Sequence, residues 1–399
     1  MVIVQSGGPT TVSNTCLAAA VAAGRKGGAT GAQILGARGG LSGLLAEELI
    51  DLAAVPNWPD IAASPGAALG SSRYRPSESE IGRIVEMLTR RDIHHLIMIG
   101  GNGTMSAAAR LSAAADSAGY ELAVSGIPDT IDNDVPGTDL CLGFASCARY
   151  SAQTVLDVAA DVRTLPTPVS IVEVMGRNTG WVAAATAVAR LGEEEAPHRV
   201  FVPELPIRQE EFLEAVQRRF ESSGWVVLVV AEGVVGSDGK SLADSAPTPG
   251  VDGFGGAMVG DVGPALARMV TTELGLRART EKPGLAARAA PHLAADADRA
   301  AAIAAARFSV SRLAEGESHM VGLAVEPDGG VLCRAVALPK SRSGESSAGD
   351  SAADDSAAGA PAERQLPAAY LRPDGTGPSQ AFLDYAGPLV GQLRRPVRL

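Results

Sequence analysis

Short apolar runs rich in β-branched residues recur along the chain at Val2 to Gln5, Leu96 to Ile99, Leu122 to Ser125, Ser170 to Val174 and Val226 to Ala231. Each reads as a strand buried on both faces, as in a parallel sheet covered by helices. Between them lie Ala-rich amphipathic stretches of helical length, at Thr15 to Lys26, Glu78 to Arg90 and Thr179 to Leu191. This alternation predicts a doubly wound α/β fold with mainly parallel sheets. Ligands of such sheets bind beyond the carboxyl ends of the strands. The Gly-rich and acidic clusters of this chain fall there, directly after strand-like runs.

Apolar patterning lapses from Ser341 to Glu363, a run of Ser, Ala, Gly and Asp, and resumes from Gln365 to Leu393. So little apolar bulk cannot repay the entropy of ordering, which predicts a disordered insertion over 341–364 and a C-terminal segment, 365–399, packing back. The remainder is globular in composition, with 46% hydrophobic and 20% charged residues in 399. A formal net charge of -11 argues against nucleic-acid binding, so an anionic ligand must be gathered by specific arginines. The four cysteines, Cys16, Cys141, Cys147 and Cys333, form no C-x-x-C pair and carry no zinc spacing, which fits a reducing cytoplasm. No apolar stretch is long enough to span a membrane, and the expectation is a soluble cytoplasmic protein.

The densest chemistry lies between Asp129 and Asp139, where Asp129, Asp132, Asp134 and Asp139 fall within eleven residues. Carboxylates this close raise one another's pKa unless a cation gathers them, so a metal or phosphate-transfer site is the reading, against the plain alternative of an acidic surface turn. Two further loops, Gly7-Gly8-Pro9-Thr10 and Gly100-Gly101-Asn102-Gly103-Thr104, also follow strand-like runs. Their glycines allow tight turns that offer backbone N–H groups to an anion, although close helix-to-strand packing would explain either loop alone. Neither matches the P-loop or the dinucleotide fingerprint.

Taken in order, the Gly7 loop, Gly70-Ser71-Ser72-Arg73, the Gly100 loop, Pro128-Asp129-Thr130-Ile131-Asp132-Asn133-Asp134 and Met175-Gly176-Arg177 resemble the phosphofructokinase family. The likeness runs from residue 2 to about 335 and returns near Phe382 to Leu389, closest to the pyrophosphate-using branch. It implies two similar doubly wound domains. Residues 1–138, rejoined by a segment near 295–315, would bind the phosphoryl donor, and 139–340 the sugar phosphate. It also implies Mg²⁺-dependent transfer to the 1-hydroxyl of fructose 6-phosphate or a related ketose phosphate, by a homodimer or homotetramer.

The resemblance assigns roles residue by residue. Asp132 matches the general base, a carboxylate able to accept the proton as the hydroxyl attacks, with Thr130 and Asp134 beside it. Arg73 and Arg177 match arginines that stabilise the transferring phosphoryl group. Gly7, Gly8, Arg73, Gly101, Asn102, Gly103, Thr104 and Asp129 fall at donor-binding positions, with Asn102 as the metal ligand. Asp132, Asp134, Met175, Gly176, Arg177, Glu204, Arg288, His292 and Arg299 fall at sugar-phosphate positions.

Several positions depart from the pattern. Pyrophosphate enzymes of this family carry Asp at the Gly103 position and Lys at the Asp129 position, and Gly103 is the residue of the ATP branch. These two changes favour ATP over pyrophosphate as donor. Ala287 replaces a Gln, and Pro168 stands where many ATP-using members have Arg, which leaves a different ketose phosphate open as acceptor. Loss of donor chemistry at residues 103 and 129 would instead make the chain a non-catalytic sugar-phosphate sensor.

Overall fold

The computed structural model describes residues 1–27, 33–164, 167–242, 261–339 and 363–397. Eleven strands are present among them: β1 (Val2–Gln5), β2 (Leu35–Ala37), β3 (Leu49–Asp51), β4 (His95–Gly100), β5 (Ala123–Pro128), β6 (Val169–Val174), β7 (Arg199–Phe201), β8 (Val226–Ala231), β9 (Ala278–Glu281), β10 (His319–Val325) and β11 (Val331–Val336). β1, β5, β6 and β8 are buried at every position, as strands flanked by helices on both faces must be. They form two sheets. The first has the order β11-β10-β5-β4-β1-β2-β3 and the second β7-β8-β6-β9. All pairings are parallel except β2 with β3 and β10 with β11, at the two edges of the first sheet.

The predicted α/β class is therefore the observed one, with three differences in detail. Strands β10 and β11, which the sequence reading grouped with residues 139–340, extend the first sheet, so the two sheets have seven and four strands. The stretch Thr179 to Leu191 is not one helix; it turns through Gly180 and forms a helix only over Trp181–Ala185, followed by a 3-10 turn over Thr186–Ala189. The predicted insertion falls mostly on residues 341–362, outside the described residues, but Glu363 and Arg364, assigned to it, have defined partners.

Local chemistry explains where helices start. Helix Glu78–Arg90 opens with a reciprocal cap, in which Ser77 Oγ accepts from the Glu80 amide and the Glu80 carboxylate accepts from the Ser77 amide. Helix Phe144–Val162 is capped from afar: the buried Asp298 carboxylate accepts from the Gly143 amide at 2.8 Å, the Ser146 amide at 3.1 Å and Ser146 Oγ at 2.5 Å. Asp298 lies on helix Asp296–Leu313, which packs on helix Ser13–Gly27. One continuous apolar core runs from Ile3 and Ile127 of the first sheet through Phe144 to Val172 and Val229 of the second. The two sheets thus share one core.

The strand order reverses beside β1, whose neighbours are β4 on one side and β2 on the other. A crevice outside the carboxyl ends is expected at such a switch point. The loops after β1, β4 and β5 lie at that edge of the first sheet, and the loop after β6 meets the loop after β5 from the second sheet.

Candidate active site

The three loops of the first sheet are stitched together by short-range polar contacts. The Ser6 amide donates to the Ile99 carbonyl at 2.9 Å, Thr104 Oγ1 donates to the Ser6 carbonyl at 3.3 Å, and the Asp129 amide donates to the Gly100 carbonyl at 2.9 Å. The Gly70 to Arg73 loop is bound in turn by Gly7, whose amide donates to the Ser72 carbonyl at 3.0 Å and whose carbonyl accepts from Ser71 Oγ at 2.6 Å. Gly7 has a φ of 90°, a left-handed conformation that a side chain would strain. Two arginines crowd Gly8: a Cβ there would lie 2.6 Å from Arg288 Nη1 and 3.9 Å from Arg73 Nη2.

Arg288, placed by sequence at the sugar phosphate, thus reaches the Gly7-Gly8 loop and sits beside Arg73. Burial first, and then the like charge of Arg73, lower its pKa, while Asp132 opposes the shift. Arg177 completes the cationic set from the β6 side, with Nε 3.9 Å from Asp132 Oδ2. Its backbone is left-handed, at φ 50°, and the Gly176 and Arg177 amides both donate to Glu232 Oε1, at 3.3 and 3.1 Å. Glu232, at the end of β8, was missed in the sequence because nothing in its local pattern marks a carboxylate that accepts from another strand's loop.

Asp132 sits by Arg177 and keeps an opening to solvent, with 16% of its side chain exposed. Its amide donates to Thr130 Oγ1 at 3.3 Å and its carbonyl accepts from Thr179 Oγ1 at 3.1 Å, so its own loop and the loop after β6 hold its backbone. Burial raises the carboxyl pKa above its ordinary range, Arg177 opposes this, and Glu232 and Glu363 add to it. Asp134 is more enclosed, and burial followed by the charges of Asp132 and Glu363 pushes its carboxyl up as well. The arginine beside Asp132 makes it the first of the pair to ionise, so Asp132 can hold a negative charge while Asp134 keeps its proton.

Asp129, expected at the donor, is turned inward behind the Gly7 loop. Its carboxylate is 3% exposed and accepts from Thr10 Oγ1 at 2.6 Å and from Ser13 Oγ, at the start of helix Ser13–Gly27. The carboxyl is thus turned inward onto two hydroxyls at the start of a helix. Burial raises this pKa to about 7, with the two hydroxyls opposing the shift.

The remaining predicted residues divide in the same way. Asn102 opens helix Asn102–Ser117 after Gly101, and its Oδ1 is buried with no hydrogen-bond partner. A buried side-chain oxygen left unpaired suits a cation that accompanies phosphate. No group of three acidic, His or Cys ligands exists among the described residues. Mg²⁺ fits such a site nonetheless, because it usually takes one or two protein oxygens and fills its octahedron with water and phosphate.

Glu204 Oε1 accepts from the Gly180 amide at 3.0 Å and the Leu366 amide at 2.8 Å, while its Oε2 is buried without a partner. Met175 packs partly buried against the core. Arg299 donates to the Pro291 carbonyl at 3.1 Å, and His292 is exposed on the short turn Pro291–Leu293. Asp298, the neighbour of Arg299 in the chain, is the helix cap described above.

Comparison with known proteins agrees with this geometry. The phosphofructokinase family model matches residues 1–310. A pyrophosphate--fructose 6-phosphate 1-phosphotransferase of Xanthomonas campestris pv. campestris is 33% identical, over 97% of this chain and 90% of the relative. The crystal structure of a pyrophosphate-dependent phosphofructokinase from Marinobacter aquaeolei superposes with a TM-score of 0.83 at 30% identity, covering 100% of this chain and 93% of that one. An ATP-dependent 6-phosphofructokinase of Amycolatopsis methanolica is 34% identical, over 54% of this chain and 46% of its own length.

Proposed function

The chain belongs to the phosphofructokinase family and is a 6-phosphofructokinase-like phosphotransferase, and on that premise we propose that it moves a phosphoryl group from pyrophosphate to the 1-hydroxyl of fructose 6-phosphate. The observation that carries the donor assignment is the inward-turned Asp129 carboxylate. The expectation of ATP rested partly on an acidic side chain facing the donor phosphates, and this one faces Thr10 and Ser13. With that repulsion removed, Gly103 and the missing lysine at position 129 still favour ATP. The relatives matched over nearly the whole chain, named for pyrophosphate, weigh against it.

In this reading Asp132 accepts the proton of the attacking hydroxyl. The new bond joins that oxygen to the transferred phosphorus, the bridging P–O bond of the donor breaks, and orthophosphate leaves. Arg177, next to Asp132, lies where negative charge grows on the phosphoryl oxygens, and Arg73 and Arg288 hold the donor at the Gly7-Gly8 loop. Thr130 fixes the backbone of Asp132, and Glu204 offers its free Oε2 to a sugar hydroxyl. Asn102 would hold Mg²⁺, which when bound neutralises donor phosphate charge. We extend the family reading to a homo-oligomer in the cytoplasm; among the described residues no helix is long and apolar enough to cross a membrane.

Steady-state assays with each donor against fructose 6-phosphate, sedoheptulose 7-phosphate and epimeric ketose phosphates test the proposal. The expected result is a kcat/KM for pyrophosphate and fructose 6-phosphate at least about 100-fold above every other pair, equivalent to about 2.7 kcal/mol. A preference for ATP or for another ketose phosphate would overturn it. Asn102→Ala is expected to raise the Mg²⁺ concentration for half-maximal rate by about 10-fold, within the range of one lost metal contact, while calorimetric binding of fructose 6-phosphate stays unchanged.

A further inference from the structure

We propose that Arg364 is a positioning residue for phosphoryl transfer: segment 363–366 straps the loop that carries Asp132 and Asp134, and the Arg364 guanidinium holds the turn between those two aspartates in place.

The turn needs holding. Asn133 lies between the two aspartates, fully buried, with a φ of 54°. Asn adopts this left-handed conformation more readily than most residues, but still at a cost that the surroundings must offset. Its side chain is engaged at both ends, Oδ1 accepting from the Cys141 amide at 2.8 Å and Nδ2 donating to Tyr385 Oη at 3.0 Å. Its carbonyl accepts two further bonds from one guanidinium, from Arg364 Nε at 3.1 Å and Nη2 at 2.8 Å.

The backbone of the strap runs alongside. The Arg364 amide donates to the Asp134 carbonyl at 2.7 Å, and the Arg364 carbonyl accepts from Trp181 Nε1 at 3.0 Å. The guanidinium also lies 4.0 Å from the centre of the Trp181 ring, a desolvated cation–π contact. Trp181 follows directly on the turn that carries Arg177, and the Leu366 amide shares Glu204 Oε1 with the Gly180 amide of that turn. Residues 363–366 therefore join the loop after β5, which bears the base, to the loop after β6, which bears the arginine.

The strap is itself well anchored. Tyr370, Phe382 and Tyr385 of the C-terminal segment pack around Trp181, with ring centres 5.8, 6.1 and 5.8 Å from it. The Tyr385 hydroxyl donates to the Asp139 carbonyl at 2.7 Å, at the far end of the same loop. Glu363 accepts from Asn178 Nδ2 at 3.3 Å, and its charge faces both aspartates. The other charged groups facing the pair are Arg177, Arg288 and Glu232.

The proposal rests on Asp132 being the base, and its test separates the two ideas. Arg364→Met keeps the stem over Trp181 and removes the fork. It is expected to lower kcat by about 10- to 100-fold, the cost of a small misplacement of a reacting group, with both KM values within about threefold of wild type. Arg364→Lys, which keeps one donor, should recover part of the loss. Glu363→Gln should move the acidic limb of the kcat profile to lower pH, since a negative neighbour of Asp132 and Asp134 is removed. A purely structural Arg364 would instead lower Tm and leave kcat per folded molecule unchanged, and that result would overturn the proposal.

Amide exchange gives a readout independent of turnover. In Arg364→Met, residues 132–141 should lose protection by about 10-fold relative to β1 and β8, consistent with local opening. Unchanged protection there would refute the strap even if Asp132 proved not to be the base. An Asp132→Asn variant as active as wild type would instead refute the base assignment alone.

Discussion

Asp132→Asn is expected to lower kcat by about 10²- to 10⁴-fold, the usual contribution of a positioned general base, with the KM for fructose 6-phosphate within a few-fold. The amide keeps the size of the carboxylate and an oxygen beside Arg177, so binding survives while proton removal does not. The same substitution at Asp134 should cost less, because Asp134 is enclosed and keeps its proton to higher pH. In wild type, activity should fall as the pH drops below neutrality, since the base works only when ionised and its carboxyl is raised above the ordinary range. Stopped-flow or coupled steady-state rates over pH 5 to 9 check both points. A loss under about tenfold in Asp132→Asn would remove Asp132 from the role of base.

Asp129→Ala is expected to have the second large effect, on stability and on the donor side together. It strips Thr10 Oγ1 and Ser13 Oγ of their shared acceptor inside the protein, which costs about 1–3 kcal/mol for buried polar groups left unpaired. Because these hydroxyls belong to the loop and helix that follow β1, the KM for pyrophosphate should rise more than the KM for sugar phosphate. Denaturant melts and two-substrate kinetics measure the two parts.

The sign of the pH effect distinguishes this account from a surface carboxylate. Asp129 has a folded pKa of about 7 against an ordinary value of 3.8, so the native state binds the proton more tightly than the unfolded chain. Its contribution to stability is complete below the ordinary value and is lost as pH rises through about 7, by an amount on the order of 4 kcal/mol. Wild-type Tm should therefore decline from pH 5 to pH 8. Asp129→Asn should flatten that decline without removing it, because Asp132 and Asp134 are raised in the same direction. A Tm that climbs over this range in wild type would contradict the burial of these carboxyls.

Much of this architecture is legible in the chain, and the reasons are local. β1, β4, β5, β6 and β8 announce themselves because a parallel strand covered on both faces must be apolar throughout, and the loops after them carry the chemistry because strands end there. What is not legible depends on contacts between distant residues. β10 and β11 follow the second sheet in the chain yet join the first, a return that no local pattern records. Asp129 sits in a motif whose spacing places it at the donor, but its direction is set by Thr10 and Ser13, 119 and 116 residues away. Arg364 lies at the end of a run of Ser, Ala, Gly and Asp, where composition predicts disorder, and only its approach to Asn133, 231 residues earlier, shows what it does. Short elements such as β2 and β7, three residues each, are below the length at which periodicity carries information.

Phosphorus NMR of one reaction mixture holding the protein, Mg²⁺, fructose 6-phosphate and equal concentrations of pyrophosphate and ATP tests the central claim most directly. The expected spectra show the pyrophosphate signal consumed first, replaced by orthophosphate and a new phosphomonoester at the sugar 1-position in equal amounts, with ATP unchanged and with no conversion in Asp132→Asn. Consumption of ATP with pyrophosphate left intact, or a new phosphomonoester formed equally well by Asp132→Asn, would contradict it.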